Sequence, residues 1–255
     1  MKSVYLFVLM SLTVGFVGCI PHYYLPTKQN TMVFEKKGDI ILSGNLGLFH
    51  RQTGLELGYA PTDNIGVYSS FNKFDISYYG KQHPFLKDFI WDNELIFFKK
   101  HNSGLYTGIN LGLGLGKFNI GNPYFNLYLY RQFVQPTLGI TVFNHLQFGL
   151  SMRIVRLNYN ATSATRGLSE YDQKMVDQYF NFKDLTTNDF LLIEPAFTMA
   201  FKIECFRLQF QYAGITNSNY RPYFINENIS TSLSINLNKL FLYKKSKTKP
   251  LSNTF

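Results

Sequence analysis

From about residue 39 onward, apolar side chains occupy every second position in one stretch after another, with polar turns between them. The clearest stretch is Leu105–Leu115. Its odd positions are Leu105, Thr107, Ile109, Leu111, Leu113 and Leu115, and its even positions are Tyr106, Gly108, Asn110, Gly112 and Gly114. Successive strand residues point to opposite faces, so this strand has one aliphatic face and one small or polar face. Leu146–Ile154, Leu191–Ile203 and Phe206–Tyr212 read the same way. The pattern predicts ten strands, near 39–49, 53–61, 65–75, 89–98, 105–116, 131–143, 146–157, 190–203, 206–216 and 228–241. Most exceed the usual globular strand of about 5–6 residues.

The connections alternate in length. Those after the second, fourth, sixth and eighth strands are short, at Thr62–Asn64, Lys99–Gly104, Asn144-His145 and Glu204-Cys205. Those after the third, fifth, seventh and ninth are long, the longest running from about Asn158 to Asp189, and His50–Gln52 is the one short connection at that end. This layout predicts an all-β fold: a closed antiparallel transmembrane β-barrel of about ten strands in an up-and-down meander, with short periplasmic turns and longer outer loops. Closure leaves no unpaired edge, which a bilayer does not tolerate. A soluble lipocalin-type barrel also alternates, but its apolar face points inward and its outer face is charged. Here the non-aliphatic face is glycine-rich and sparsely charged, which suits a narrow interior, so the aliphatic face is assigned to lipid. Phe49, Tyr59, Phe89, Trp91, Phe143 and Tyr159 fall near strand ends, where aromatic girdles lie.

This phase turns Glu56, Asp92, Glu94 and Glu194 inward, against Arg153, Lys202 and Arg207. Buried charge is costly unless paired, so these residues are expected to form an ion-pair network. Ten strands lie close to the eight-stranded size at which side chains fill the interior, so the lumen is expected to be largely plugged. A polar conduit for small solutes is the alternative. Gly108, Gly112, Gly114 and Gly116 alternate within a strand instead of lining a strand-to-helix turn, and read as small lumen residues, not a phosphate loop. Asn110→Asp is therefore expected to be milder than Leu111→Arg. Among the five histidines only His50 and His83 fall on the outer side, and no serine stands at triad-like spacing. A rim-site enzyme on lipid or peptide would use His83, but no enzymatic activity, cofactor or metal is expected.

Composition narrows the class. Aromatics are 17% of the 255 residues and charged residues 16%, the reverse of a disordered chain. Two cysteines are too few for a disulfide framework or a four-ligand zinc site. The net charge of +9 would permit nucleic-acid binding, but the basic residues are dispersed except at Lys244–Lys249, and no nucleic-acid partner is expected.

Lys2 and the apolar run Val4–Val14 have the length of a secretory signal, short of the roughly 20 residues of a transmembrane helix. The run ends in Phe16-Val17-Gly18-Cys19, which resembles the lipobox of bacterial lipoproteins. The resemblance implies cleavage before Cys19 and acylation of that residue; an ordinary secretory signal is the other reading. Ile20-Pro21-His22 lacks the acidic run that resembles a surface-export signal, so the acyl chains are expected in the inner leaflet. Tyr24–Asn30, Phe34–Asp39, Leu42–Asn45, Gly54–Ala60, Pro61–Asn64 and Ile65–Val67 together resemble the opening of small barrel proteins of Bacteroidota outer membranes. That resemblance covers 24–67 and implies place and shape, not activity. Leu233, Ile235, Leu237 and Phe241 resemble the aromatic-ended last strand recognised by barrel-assembly machinery.

The chain therefore divides into a signal peptide at 1–18, a lipidated periplasmic segment at 19–38, the barrel at 39–241 and a basic periplasmic tail at 242–255. Leu168, Tyr171, Met175, Tyr179 and Phe182 recur at helical spacing and predict a short amphipathic helix in the largest outer loop. Exposed long loops carry recognition, so an unidentified ligand is expected there. The expected protein is a non-enzymatic lipoprotein of the bacterial outer membrane, structural or binding in role, with both termini periplasmic.

Overall fold

A computed structural model describes residues 24–48, 52–76, 86–120, 125–163, 186–216 and 227–241. Ten strands run in order: β1 Ile40–Gly47, β2 Thr53–Tyr59, β3 Ile65–Ile76, β4 Leu86–Lys100, β5 Leu105–Ile120, β6 Phe125–Val142, β7 Leu146–Ser163, β8 Phe190–Ile203, β9 Phe206–Gly214 and β10 Glu227–Asn236. Each pairs antiparallel with its chain neighbour, and β10 pairs with β1 to close the barrel. At that seam the Ser234 hydroxyl bonds the Ser43 hydroxyl at 3.0 Å, so closure is sealed by side chains as well as backbone.

Register keeps like faces together. Leu111 lies opposite Leu95 on β4 and Val134 on β6, and Ile154 on β7 opposite Ile193 on β8. Along β8 from Phe190 to Phe201, buried even positions alternate without a break with exposed odd ones. The outward residues of β5 from Leu105 to Leu115 span about 25 Å along the barrel axis at strand rise and usual tilt, the height of a lipid-facing band. The hairpin turns at Phe143-Asn144 and Glu204 put non-glycine residues at φ of 52°, 62° and 51°, the left-handed backbone that tight hairpins require.

Four strands are clearly taller than the alternation predicts, β4 among them, which spans Leu86–Lys100. β5 continues to Ile120, β6 begins at Phe125 and β7 continues to Ser163, so the connection after β5 is four residues, not a long loop. The extra turns escape a search for outward aliphatics because polarity reverses there. Above Ile154 on β7, Val155, Leu157 and Tyr159 point inward and are buried. Arg156 and Asn158 point outward, where Arg156 Nε and Asn158 Nδ2 bond Asp189 at 3.0 and 2.6 Å. Tyr159, expected in the outer girdle, therefore lies inside.

The last strand is shorter than expected. Asn236 Oδ1 accepts a bond from the Lys239 N–H at 3.1 Å, an N-cap that starts one helical turn over Leu237–Phe241. Leu237 and Phe241 thus leave the strand. Inside, two apolar clusters sit at opposite ends. Phe74, Ile90, Leu127, Leu129, Leu157 and Leu192 gather at the long-loop end, and Ile41, Ala60, Tyr68, Ile96, Phe98 and Tyr106 at the short-turn end.

Candidate functional site

Between those clusters the lumen is polar, and residues 24–34 occupy it. This stretch was expected to lie in the periplasm. Instead Tyr24 and Leu25 pack in the long-loop cluster, Met32 and Phe34 in the short-turn cluster, and the polar residues Thr27–Thr31 between them are buried. The chain thus runs from the long-loop end down to the short-turn end before entering β1.

The wall makes room for it with missing side chains. A Cβ at Gly66 would fall 2.3 Å from the Phe34 ring, and one at Gly139 would fall 2.2 Å from Met32 Sδ. A Cβ at Gly114 would lie 2.2 Å from the Asp92 carboxylate and 2.6 Å from Arg131 Cγ, so glycine there lets the Arg131–Asp92 pair bridge from β6 to β4 over the inner face of β5.

Polar contacts then fix the segment residue by residue. Arg131, fully buried, donates from Nε to Asp92 Oδ1 at 2.6 Å, from Nη1 to the Tyr24 hydroxyl at 2.8 Å and from Nη2 to Thr27 Oγ1 at 2.7 Å. Arg153 donates to the same Thr27 hydroxyl at 2.9 Å, to the Lys28 carbonyl at 3.2 Å and to Gln135 Oε1 at 3.1 Å, and lies 3.7 Å from Glu194. Both guanidinium groups lie over the Phe133 ring, at 5.6 and 4.5 Å. Lys28 Nζ meets Glu56 Oε2 at 2.5 Å, and Glu56 also accepts from Asn45 and Tyr68 at 2.8 Å each. Asn30 donates to Glu94 at 2.8 Å, while its carbonyl accepts from Gln135 at 2.8 Å and Asn110 at 3.2 Å. Gln29 exchanges two bonds with Gln211, at 2.6 and 2.9 Å.

Of the seven charged residues singled out from the sequence, Glu56, Asp92, Glu94, Arg153 and Glu194 are buried in this network. Arg207 instead donates to the Thr31 carbonyl at 2.9 Å and Gln147 at 3.0 Å, with no carboxylate partner among its described hydrogen bonds. Lys202 sits at the short-turn rim, half-buried, where it pairs with Glu35. Glu35 also holds Lys239 at 2.6 Å and lies 3.8 Å from Lys100. Burial alone would push its carboxyl up, but hydrogen bonds and charge from Lys202 and Lys239 prevail and hold it at about 2.

The sequence reading missed two essential partners. Arg131 was placed at the first residue of a strand that in fact begins six residues earlier, which hid its phase. Lys28 lies in a segment with no strand periodicity, and its signal was only the unbroken polar run Thr27–Thr31 next to a barrel whose wall carries unmatched carboxylates.

Little space remains beside the segment: two small cavities, about 30 and 10 Å³, lie at the short-turn end near Met32 and Glu35. No group of metal-ligating side chains occurs among the described residues. His101 and His145 lie at short turns, where His101 Nε2 is 3.4 Å from Thr107 Oγ1 and His145 Nδ1 is 3.1 Å from the Lys202 carbonyl. Cys19, His50, His83, Phe49, the tail 242–255 and the helix expected over Leu168, Tyr171, Met175, Tyr179 and Phe182 lie outside the described residues.

No protein-family model matches the chain, and no curated protein matches it. Solved barrels overlap it in part. They include the KdgM porin, with a TM-score of 0.36 and 8% identity over 77% of this chain and 98% of that one. The N-terminal β-barrel domain of Pseudomonas aeruginosa OprF gives 0.30 and 8%, over 79% and 98%, and the Yersinia pestis attachment invasion locus protein Ail gives 0.22 and 9%, over 80% and 98%. Overlaps this weak carry no information on ligand or activity.

Proposed function

We propose that this chain is a non-enzymatic lipoprotein of the bacterial outer membrane, a structural or binding barrel whose lumen is closed by its own N-terminal segment. The membrane reading is supported by the outward apolar band, which includes Leu55, Leu111, Leu150, Phe197 and Leu233, all exposed. Such a surface suits lipid, and barrel-assembly machinery would insert it. The observation that carries the plugged reading is the burial of Thr27–Thr31 with hydrogen bonds to the surrounding wall. Recognition of a partner then falls to the outer loops, above all the long connection between β7 and β8.

Reconstitution into planar bilayers tests this. The plugged reading expects no stable open level at moderate voltage, whereas a reproducible unitary conductance from the intact chain would overturn it.

One observation favours a narrower alternative. Asn45, Ser232 and Gln209 lie side by side across β1, β10 and β9, and Asn45 Oδ1, Ser232 Oγ and both amide atoms of Gln209 lack a protein partner. Buried polar atoms so placed call for water. A hydrated seam here would pass only the smallest solutes. Proteoliposome swelling across a graded solute series supports the seam if uptake stops after the smallest member, and excludes it if there is none.

A further inference from the structure

The direction of the luminal segment decides which side of the membrane the N-terminus occupies. Tyr24 is held at the level of Arg131 by its hydroxyl, and Met32 at the level of Gly139. Those wall residues are eight positions apart on β6, which is about 20 Å along the axis at ordinary strand rise and tilt. Phe34 and Glu35 continue toward the short-turn rim. Five Cα–Cα steps separate Cys19 from Tyr24, and they can span at most about 17 Å. Cys19 therefore cannot return to the short-turn face, because the way back is too long and is filled by the segment itself. Toward the long-loop end β6, which with β7 is the tallest of the strands, rises only six residues above Arg131, about 15 Å, which the same five steps can cover.

We infer that the chain is threaded, so that the acyl anchor on Cys19 is carried in the leaflet at the long-loop side, the outer leaflet, and not in the inner leaflet. This rests on the lipoprotein reading of Cys19 and on short turns facing the periplasm. It has a mechanical consequence. The segment is tethered at its lower end to β1 and at its upper end to lipid, so it cannot be withdrawn from the lumen in either direction. The barrel is closed permanently, not gated, and must have formed around the segment.

The test compares two sites fifteen positions apart in the sequence. An epitope flanked by Gly/Ser is inserted between Pro21 and His22. A second variant carries Lys37→Cys, at an exposed short-turn position, in a Cys205→Ser background. Folding of both is checked by heat-modifiable migration. The threaded chain predicts antibody binding to the epitope on intact cells, and labelling of Lys37→Cys by an impermeant maleimide only after permeabilisation. Epitope detection only after permeabilisation overturns the inference, as does labelling of both sites from the same side. Mass spectrometry of the mature N-terminus separates the underlying reading. An unacylated Cys19 with an exposed epitope would leave the threading intact and remove the outer-leaflet anchor.

Discussion

The lower and upper parts of this barrel solve opposite solvation problems with the same strands. In the lower part β5, β7 and β8 turn Leu111, Leu150 and Phe197 outward and Asn110, Ser151 and Thr198 inward. In the upper part β7 turns Arg156 and Asn158 outward and Val155, Leu157 and Tyr159 inward. The backbone phase does not slip between Gln147 and Tyr159: odd residues of β7 face the lumen, and only their chemistry changes. A strand within hydrocarbon must show lipid an apolar face, whereas one that has emerged into water gains by hiding it. On the proposed membrane reading, the height of the reversal marks where lipid ends. Each part fills its interior differently as well. The upper lumen is an apolar core packed on Tyr24 and Leu25, while the lumen below it is polar and takes a polar filler from Lys28, Gln29 and Asn30, before a second apolar cluster closes on Met32 and Phe34 at the short-turn end.

The largest effect is expected where the two interiors meet. Arg131→Ala would leave Asp92 buried without its partner, costing about 3–5 kcal/mol, read as a loss of folded protein in urea titrations in lipid. Removing both charges with Arg131→Met and Asp92→Leu should recover most of that loss. Next, Leu157→Ala in the upper core should cost about 2–5 kcal/mol by leaving a cavity. Leu111→Ala should cost clearly less in the same titration, because lipid can follow the retreating side chain. An equal loss at both would mean that Leu111 faces protein. Leu111→Arg on the lipid band should cost about 2–4 kcal/mol, and Asn158→Arg on the emerged wall no more than about 0.5 kcal/mol. Comparable assembly defects from these two arginines would erase the distinction between the parts.

The smallest effect concerns the rim. Glu35 titrates at about 2 instead of 4.5 because of Lys202 and Lys239, so folding stabilises its ionised form. That contribution is complete above about pH 4.5 and disappears as pH falls toward 2. The melting temperature of the intact protein should exceed that of Glu35→Gln at pH 6, with the gap closing on acidification through that window.

The outer surface was largely legible in the sequence because a strand with an apolar outer face carries a period of two, as at Leu105–Leu115. The emerged ends were not, since a search keyed to outward aliphatics stops where Ile154 gives way to Arg156. The luminal segment was illegible for a different reason. It is held by side chains reaching from the wall to its backbone, as Arg153 does to the Lys28 carbonyl, and such bonds impose no period on the residues held. Phase alone also does not show what Asn110 holds. Its amide donates to Glu94 at 2.8 Å and to the Asn30 carbonyl, so Asn110→Asp would set carboxylate against carboxylate, a cost to weigh against that of Leu111→Arg.

The central claim is that residues 24–34 lie inside the barrel, and proximity between segment and wall tests it most directly. In the protein refolded in lipid nanodiscs with labelled methionine, phenylalanine and glycine, nuclear Overhauser contacts should join the Met32 side chain to Gly139 and Gly149, and the Phe34 ring to Gly58 and Gly66. Well-resolved Met32 and Phe34 signals in contact only with solvent or lipid, with those four glycines lacking any partner from the segment, would contradict the account.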